Sequence, residues 1–142
     1  IQFCKESNCK LSNEESDLAW NSILVSFRKE ALETLKKIRP YYKLYLLSNT
    51  NQIHLQAFNK IYNEQIGEGS LDDYFDKAYY SHQIGSRKPG KEPYEIVLQE
   101  NQLIPSETLF IDDSVQNIEP ARQLGIQTIL LKPGMGIEDV GL

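Results

Sequence analysis

Apolar residues recur along this chain with two alternating periods. Over residues 14–27, Leu18, Ile23, Leu24 and Phe27 fall on a loose helical face. In FRKEALETLKKIRP the positions Ala31, Leu32, Leu35 and Ile38 continue at helical spacing until Pro40 stops them. YYKLYLLSN then reads as a buried strand over 43–47, ended by small polar residues, and NQIHLQAFNKIY returns to the helical period. NEQIGEGSLDD is the most loop-like stretch, and a short strand follows around KAYYS. Beyond the polar loop GSRKPGKE, PYEIVLQEN is helical, with Pro93 in the first turn, where a missing N–H costs nothing. TLFI and QTILL are the third and fourth strands. Between them a short helix is expected to begin near Asn117, a good N-cap, because Pro120 would disrupt a helix interior; Glu119 then lies near its positive end and Gly125 closes it. Strands alternating with helices of this length predict βαβ units. The expected fold class is α/β, a Rossmann-like parallel sheet with helices on both faces.

Composition narrows the function classes without choosing one. The 142 residues fit a single domain with a real core, and no repeat or low-complexity tract interrupts them. Fifteen basic and 20 acidic residues are spread along the chain for a net charge of −5, which argues against a nucleic-acid surface. No apolar run reaches the length of a membrane span and no signal segment opens the chain, so the expected setting is cytoplasmic, with no membrane partner. Cys4 and Cys9 lack the spacing of a zinc site and read as reduced thiols. His54 and His82 are isolated and read as turn or surface residues, with His82 a weak candidate for a substrate loop. Trp20, Tyr41, Tyr42, Tyr79 and Tyr80 read as core and strand packing. The chain opens on Ile1 and has Met135 as its sole methionine, so it is expected to be the interior of a longer protein.

Three polar clusters stand where strands end, the position at which open α/β sheets bind ligands. They are Ser48-Asn49-Thr50, Lys88-Pro89 and Asp112-Asp113. A hydroxyl and exposed N–H groups before a helix can hold phosphoryl oxygens, and a lysine supplies a compact positive charge. Two adjacent carboxylates repel each other, and a hard cation resolves that conflict: Mg²⁺ prefers oxygen ligands and bridges to phosphate. The residue before a proline is held extended, so Lys88 projects from a stiff segment. Together the clusters describe a phosphoryl-transfer site.

LYLLSNTN, GSRKPGKEPY and LFIDDSVQNIEPARQLG, in that order and separation, resemble the second, third and fourth motifs of the haloacid dehalogenase-like hydrolase superfamily. The likeness spans residues 32–131. It is nearest to the small sugar-phosphate phosphatases typified by alpha-D-glucose-1-phosphate phosphatase and to the phosphatase-like N-terminal domain of soluble epoxide hydrolases. The resemblance implies that Ser48 hydrogen-bonds the transferring phosphoryl group with help from the Asn49 backbone, and that Lys88 neutralises nucleophile and phosphate. It also implies that Asp112 ligates Mg²⁺ with Asp113 in support. The substrate it implies is a small phosphomonoester, with sugar phosphates the family's usual class. Residues 1–27 would be the C-terminal part of a helical cap, and 28–142 an incomplete α/β core.

The family's first motif, an apolar strand ending in Asp-x-Asp, supplies the nucleophile that becomes an aspartyl-phosphate. No such motif occurs here: Asp17, Asp72, Asp73, Asp76 and Asp139 neither follow an apolar strand nor belong to an Asp-x-Asp. The central strand that bears it in the family is therefore expected to be missing, and the chain alone to be inactive. A non-catalytic binding or scaffold protein of the same fold is the alternative. A receiver-type phosphoacceptor module fits less well, because a receiver begins with its acidic pair and ends with its Lys-Pro, whereas this chain runs Ser48, Lys88, Asp112.

Overall fold

The computed structural model describes residues 27–142. The helix expected over 14–27, Cys4, Cys9 and Trp20 lie outside the described residues, apart from Phe27 itself. The first helix, α1 (Lys29–Ile38), buries Leu32, Leu35 and Ile38, and it places Glu30 in its first turn and Lys36 and Lys37 in its last, matching the helix dipole. Strand β1 (Tyr45–Ser48) leads into α2 (Gln52–Gln65), which Asn51 caps by accepting the His54 N–H at 2.9 Å. The helix thus absorbs the first three residues of the stretch expected to be loop. Strand β2 (Lys77–Tyr80) passes directly into the single turn α3 (Ser81–Ile84), which Gly85 ends at φ +69°, a conformation that favours glycine. Then come α4 (Glu92–Glu100), with Pro93 in its first turn, β3 (Leu109–Asp112), α5 (Val115–Gln123) and β4 (Gln127–Leu130).

Further boundaries differ from their sequence expectations: the strand expected over 43–47 runs from Tyr45 to Ser48. Helix α5 begins at Val115 with Ser114 in the N-cap position, and Pro120 sits inside it. The lost N–H removes a single bond from a nine-residue helix, and the side chain of Asn117 is engaged elsewhere, as described below.

Among the described residues, four strands form two parallel pairs. In the first, Tyr45 stands opposite Lys77 and the register runs to Ser48 opposite Tyr80. In the second, Leu109 stands opposite Gln127 and the register ends with Asp112 opposite Leu130. Each pair is βαβ-like, so Ser48 and Asp112 are both the last residues of their strands. Between the pairs lies an apolar groove of about 450 Å³, lined by Leu44, Leu46 and Leu47 on one side and Leu109, Phe110 and Ile111 on the other. Among the described residues, neither β1 nor β3 has a second strand neighbour.

Two core clusters flank this arrangement. One joins Leu32, Leu35 and Ile38 of α1 to Tyr62 and Tyr74, with Leu44 and Phe27 packed against it; the other joins Tyr94 and Leu98 of α4 to Ala121 and Ile126, with Leu47 and Phe110. Leu44, just before β1, thus packs against one cluster and Leu47, within β1, against the other. Burial of several tyrosines is matched by hydrogen bonds from their hydroxyls. Tyr79 donates to Glu100 at 2.9 Å, Tyr80 to Asp72, and Tyr94 to the Asn117 carbonyl at 2.7 Å. Tyr79 and Tyr80 are buried, but Tyr41 and Tyr42 are 82% and 56% exposed, contrary to the packing role expected of them. They stand after α1 and before β1 begins, outside the strands of the described residues.

Candidate active site

Ser48 and Asp112 stand at the carboxyl ends of β1 and β3, and the loop after α3 carries Lys88 to Asp112 and to Asn49, the neighbour of Ser48. The Lys88 ammonium lies 2.6 Å from Asp112 Oδ2 and 5.4 Å from the centre of the Phe110 ring, with both charged side chains about nine-tenths buried. Asp112 is further held through Oδ1, which accepts the Ser114 N–H at 2.8 Å and the Asn117 side-chain N–H at 3.0 Å. Burial pushes the Asp112 carboxyl up, but the hydrogen bonds from Lys88, Asn117 and Ser114 together outweigh it and hold the group below the ordinary carboxylate range. Tyr94 feels the same charge: burial first, and Asp112 second, push its hydroxyl up to about 12.

The Ser48 loop is joined to Lys88 through its neighbour. Asn49 accepts the Lys88 N–H at 3.0 Å and donates to the Lys88 carbonyl at 2.8 Å. The Ser48 hydroxyl has no hydrogen-bond partner among the described residues, which leaves it available to a ligand. The peptide bond between Lys88 and Pro89 is cis. Asp113 is exposed and makes no ion pair among the described residues, so of the acidic pair only Asp112 is built into this network. No group of three or more His, Cys, Asp or Glu side chains converges among the described residues. His82 lies beside the Ser48 loop: its Nδ1 is 3.1 Å from the Thr50 carbonyl and its Nε2 is 3.2 Å from Gln52 Oε1.

Two participants escaped the sequence reading. Asn117 reads as an N-cap because it precedes an apolar-periodic stretch, yet its carboxamide serves Asp112. The only signal was its distance of five residues from Asp112, which one turn of loop and one of helix fold back. The Asn49 side chain was the other, with no signal beyond its place next to Ser48.

The chain matches the haloacid dehalogenase-like hydrolase family over residues 20–131, most of its length. It belongs to that family. Among relatives of the haloacid dehalogenase-like hydrolases, the D-ribitol-5-phosphate phosphatase of Bacteroides thetaiotaomicron is 37% identical over 120 residues, covering 84% of this chain and 57% of the relative. The phosphorylated carbohydrates phosphatase of Thermotoga maritima is 32% identical over 101 residues, covering 71% of this chain and 43% of the relative. The chain therefore spans about half the length of these two relatives. A solved haloacid dehalogenase family enzyme from B. thetaiotaomicron, an aspartate-to-alanine variant in complex with magnesium and inorganic phosphate, superposes with a TM-score of 0.85 at 36% identity, covering 98% of this chain and 71% of that one. A predicted family hydrolase from Porphyromonas gingivalis gives 0.84 at 30% identity, over 98% and 68% of the two chains. The α/β fold of the family, with parallel strands, is the fold of this chain.

Proposed function

We propose that this chain is the larger part of a Mg²⁺-dependent phosphomonoester phosphatase that works through an aspartyl-phosphate, with phosphorylated sugars or sugar alcohols as its substrate class. The observation that carries the reading is the buried Lys88 ammonium, held against a strand-end carboxylate beside the Ser48 hydroxyl loop. A buried cation at the carboxyl edge of a parallel sheet, tied through its backbone to the loop that carries a hydroxyl without a hydrogen-bond partner among the described residues, is suited to a phosphoryl group. The substrate class follows the two phosphatase relatives.

The donor set fits Mg²⁺, which takes one or two carboxylates and keeps several waters. Asp112 would hold it and Asp113 would support it. Bound there, the metal supplies charge neutralisation at the phosphate oxygens. Ser48 hydrogen-bonds the transferring group, the Asn49 backbone N–H adds a second donor, and Lys88 balances the charge of nucleophile and phosphate. Asn117 and the Ser114 N–H keep the Asp112 carboxylate oriented and ionised.

The nucleophile is the missing part. We assign it to a segment outside these 142 residues, entering as an apolar strand in the groove between β1 and β3, which would complete both strand ladders and end beside Lys88. Residues 1–27 are assigned to the end of a helical cap, and the core to 28–142. With Mg²⁺ and a generic aryl phosphate, the chain alone should show no turnover above background. Restoring the upstream segment, in the same chain or as a separate piece, should produce turnover that Lys88→Ala abolishes. Turnover by the chain alone would place the nucleophile within it. An inert restored protein, across a panel of sugar and nucleotide phosphates, would instead favour a non-catalytic binding protein.

A further inference from the structure

We propose that Asn49 is a positioning residue whose carboxamide fixes the backbone of Lys88 and, through it, the place of the Lys88 ammonium; this rests on the reading of Lys88 given above. Residues 49 and 88 lie on separate loops, yet the Asn49 side chain meets both main-chain polar groups of Lys88. Oδ1 accepts its N–H at 3.0 Å and Nδ2 donates to its carbonyl at 2.8 Å. The carboxamide orientation follows from these contacts, since the reversed amide would set donor against donor and acceptor against acceptor. Both amide atoms thus engage Lys88.

The clamp is itself anchored from behind. The β1–β2 ladder ends with Ser48 opposite Tyr80, and side chains extend the pairing past that point. The Ser81 hydroxyl accepts the Thr50 N–H at 3.0 Å and donates to the Thr50 carbonyl at 2.9 Å. The His82 Nδ1, 3.1 Å from the same carbonyl, must be a donor, because a carbonyl only accepts. Asn49 is therefore pinned between a strand end and a doubly bonded Thr50. The Lys88 backbone inherits that rigidity, and the ammonium at its far end lies 2.6 Å from Asp112. A lysine has four rotatable side-chain bonds, so a fixed main chain at its root restricts where its charge can go.

A double-mutant cycle in the complete protein separates positioning from direct contact and from general stability. Asn49→Ala should lower kcat by roughly tenfold to a hundredfold, the scale of a small misplacement of a reacting group, with KM changed less than about twofold. In a Lys88→Ala background the same substitution should change turnover less than about twofold, because there is no ammonium left to misplace. Asn49→Ser, which cannot span both Lys88 groups, should behave likewise and serves if Asn49→Ala fails to fold. Should Lys88→Ala turn over too slowly to measure, hydrogen exchange at the Lys88 amide decides: it should accelerate about tenfold or more in either Asn49 variant while the protein's melting temperature holds. Equal losses with and without the Lys88 side chain, a raised KM at intact kcat, or unchanged Lys88 amide protection would each overturn the inference and leave the phosphatase reading standing. Full turnover by Lys88→Ala would overturn the phosphatase reading itself.

Discussion

Replacing Lys88 by methionine keeps the volume of the stem and deletes its charge, which isolates the ion pair with Asp112. At 2.6 Å and an effective dielectric constant of about 20, the attraction between the two charges is about 6 kcal/mol. Desolvation of both ions offsets much of this, and removing one partner of such a pair leaves a buried charge at a cost of about 3–5 kcal/mol. Asp112 keeps its bonds from Ser114 and Asn117, so the lower end, about 3 kcal/mol, is expected. The pH dependence fixes the sign. Asp112 has a lowered pKa in the folded protein, so the stability it contributes is present above the unfolded value of about 3.9 and is lost as pH falls through the folded value. In Lys88→Met the main lowering influence is gone while burial still pushes the carboxyl up, so protonation on acidification relieves the isolated carboxylate. Urea unfolding of the complete protein should therefore show a large gap between wild type and Lys88→Met at pH 7 that narrows as the pH is lowered. The double variant Lys88→Met/Asp112→Asn, which retains an acceptor for Ser114 and Asn117, should recover most of the loss. A gap under about 1 kcal/mol at pH 7, or one that does not change with pH, would refute the buried-pair account.

Asp112→Asn in the complete protein should weaken Mg²⁺ dependence and reduce turnover by more than about a hundredfold, whereas His54→Ala should change it less than about twofold; steady-state kinetics across a Mg²⁺ titration compares them. Equal, mild effects would mean that the acidic pair is structural. Asn51→Ala should cost about 1 kcal/mol through loss of the α2 cap, seen as a lower urea midpoint with kcat unaltered. Gly85→Ala should cost about 1–2 kcal/mol, because the turn after α3 needs φ +69°, and the same urea assay reads it.

Local pattern determined most of the architecture. The helical spacing of Leu32, Leu35 and Ile38, the apolar run before Ser48, Pro93 in the first turn of α4 and Gly125 after α5 each depend on neighbours within a few residues, and propensity and periodicity act on that scale. Ser48, Lys88 and Asp112 stood out for a related reason: each is a polar residue placed where a strand or its following loop ends. Tertiary structure decided the rest. Tyr41 and Tyr42 are as aromatic as Tyr79 and Tyr80, but only the latter pair lies within a strand and is buried. Asn117 is as good a cap as Ser114, but a carboxylate five residues back took its side chain. The bond between Asn49 and Lys88 joins residues 39 positions apart, and no local pattern encodes which of several carboxamides will reach a given backbone. The groove between β1 and β3 is likewise invisible in sequence, since an unpaired strand edge is a property of what lies beside a strand and not of the strand itself.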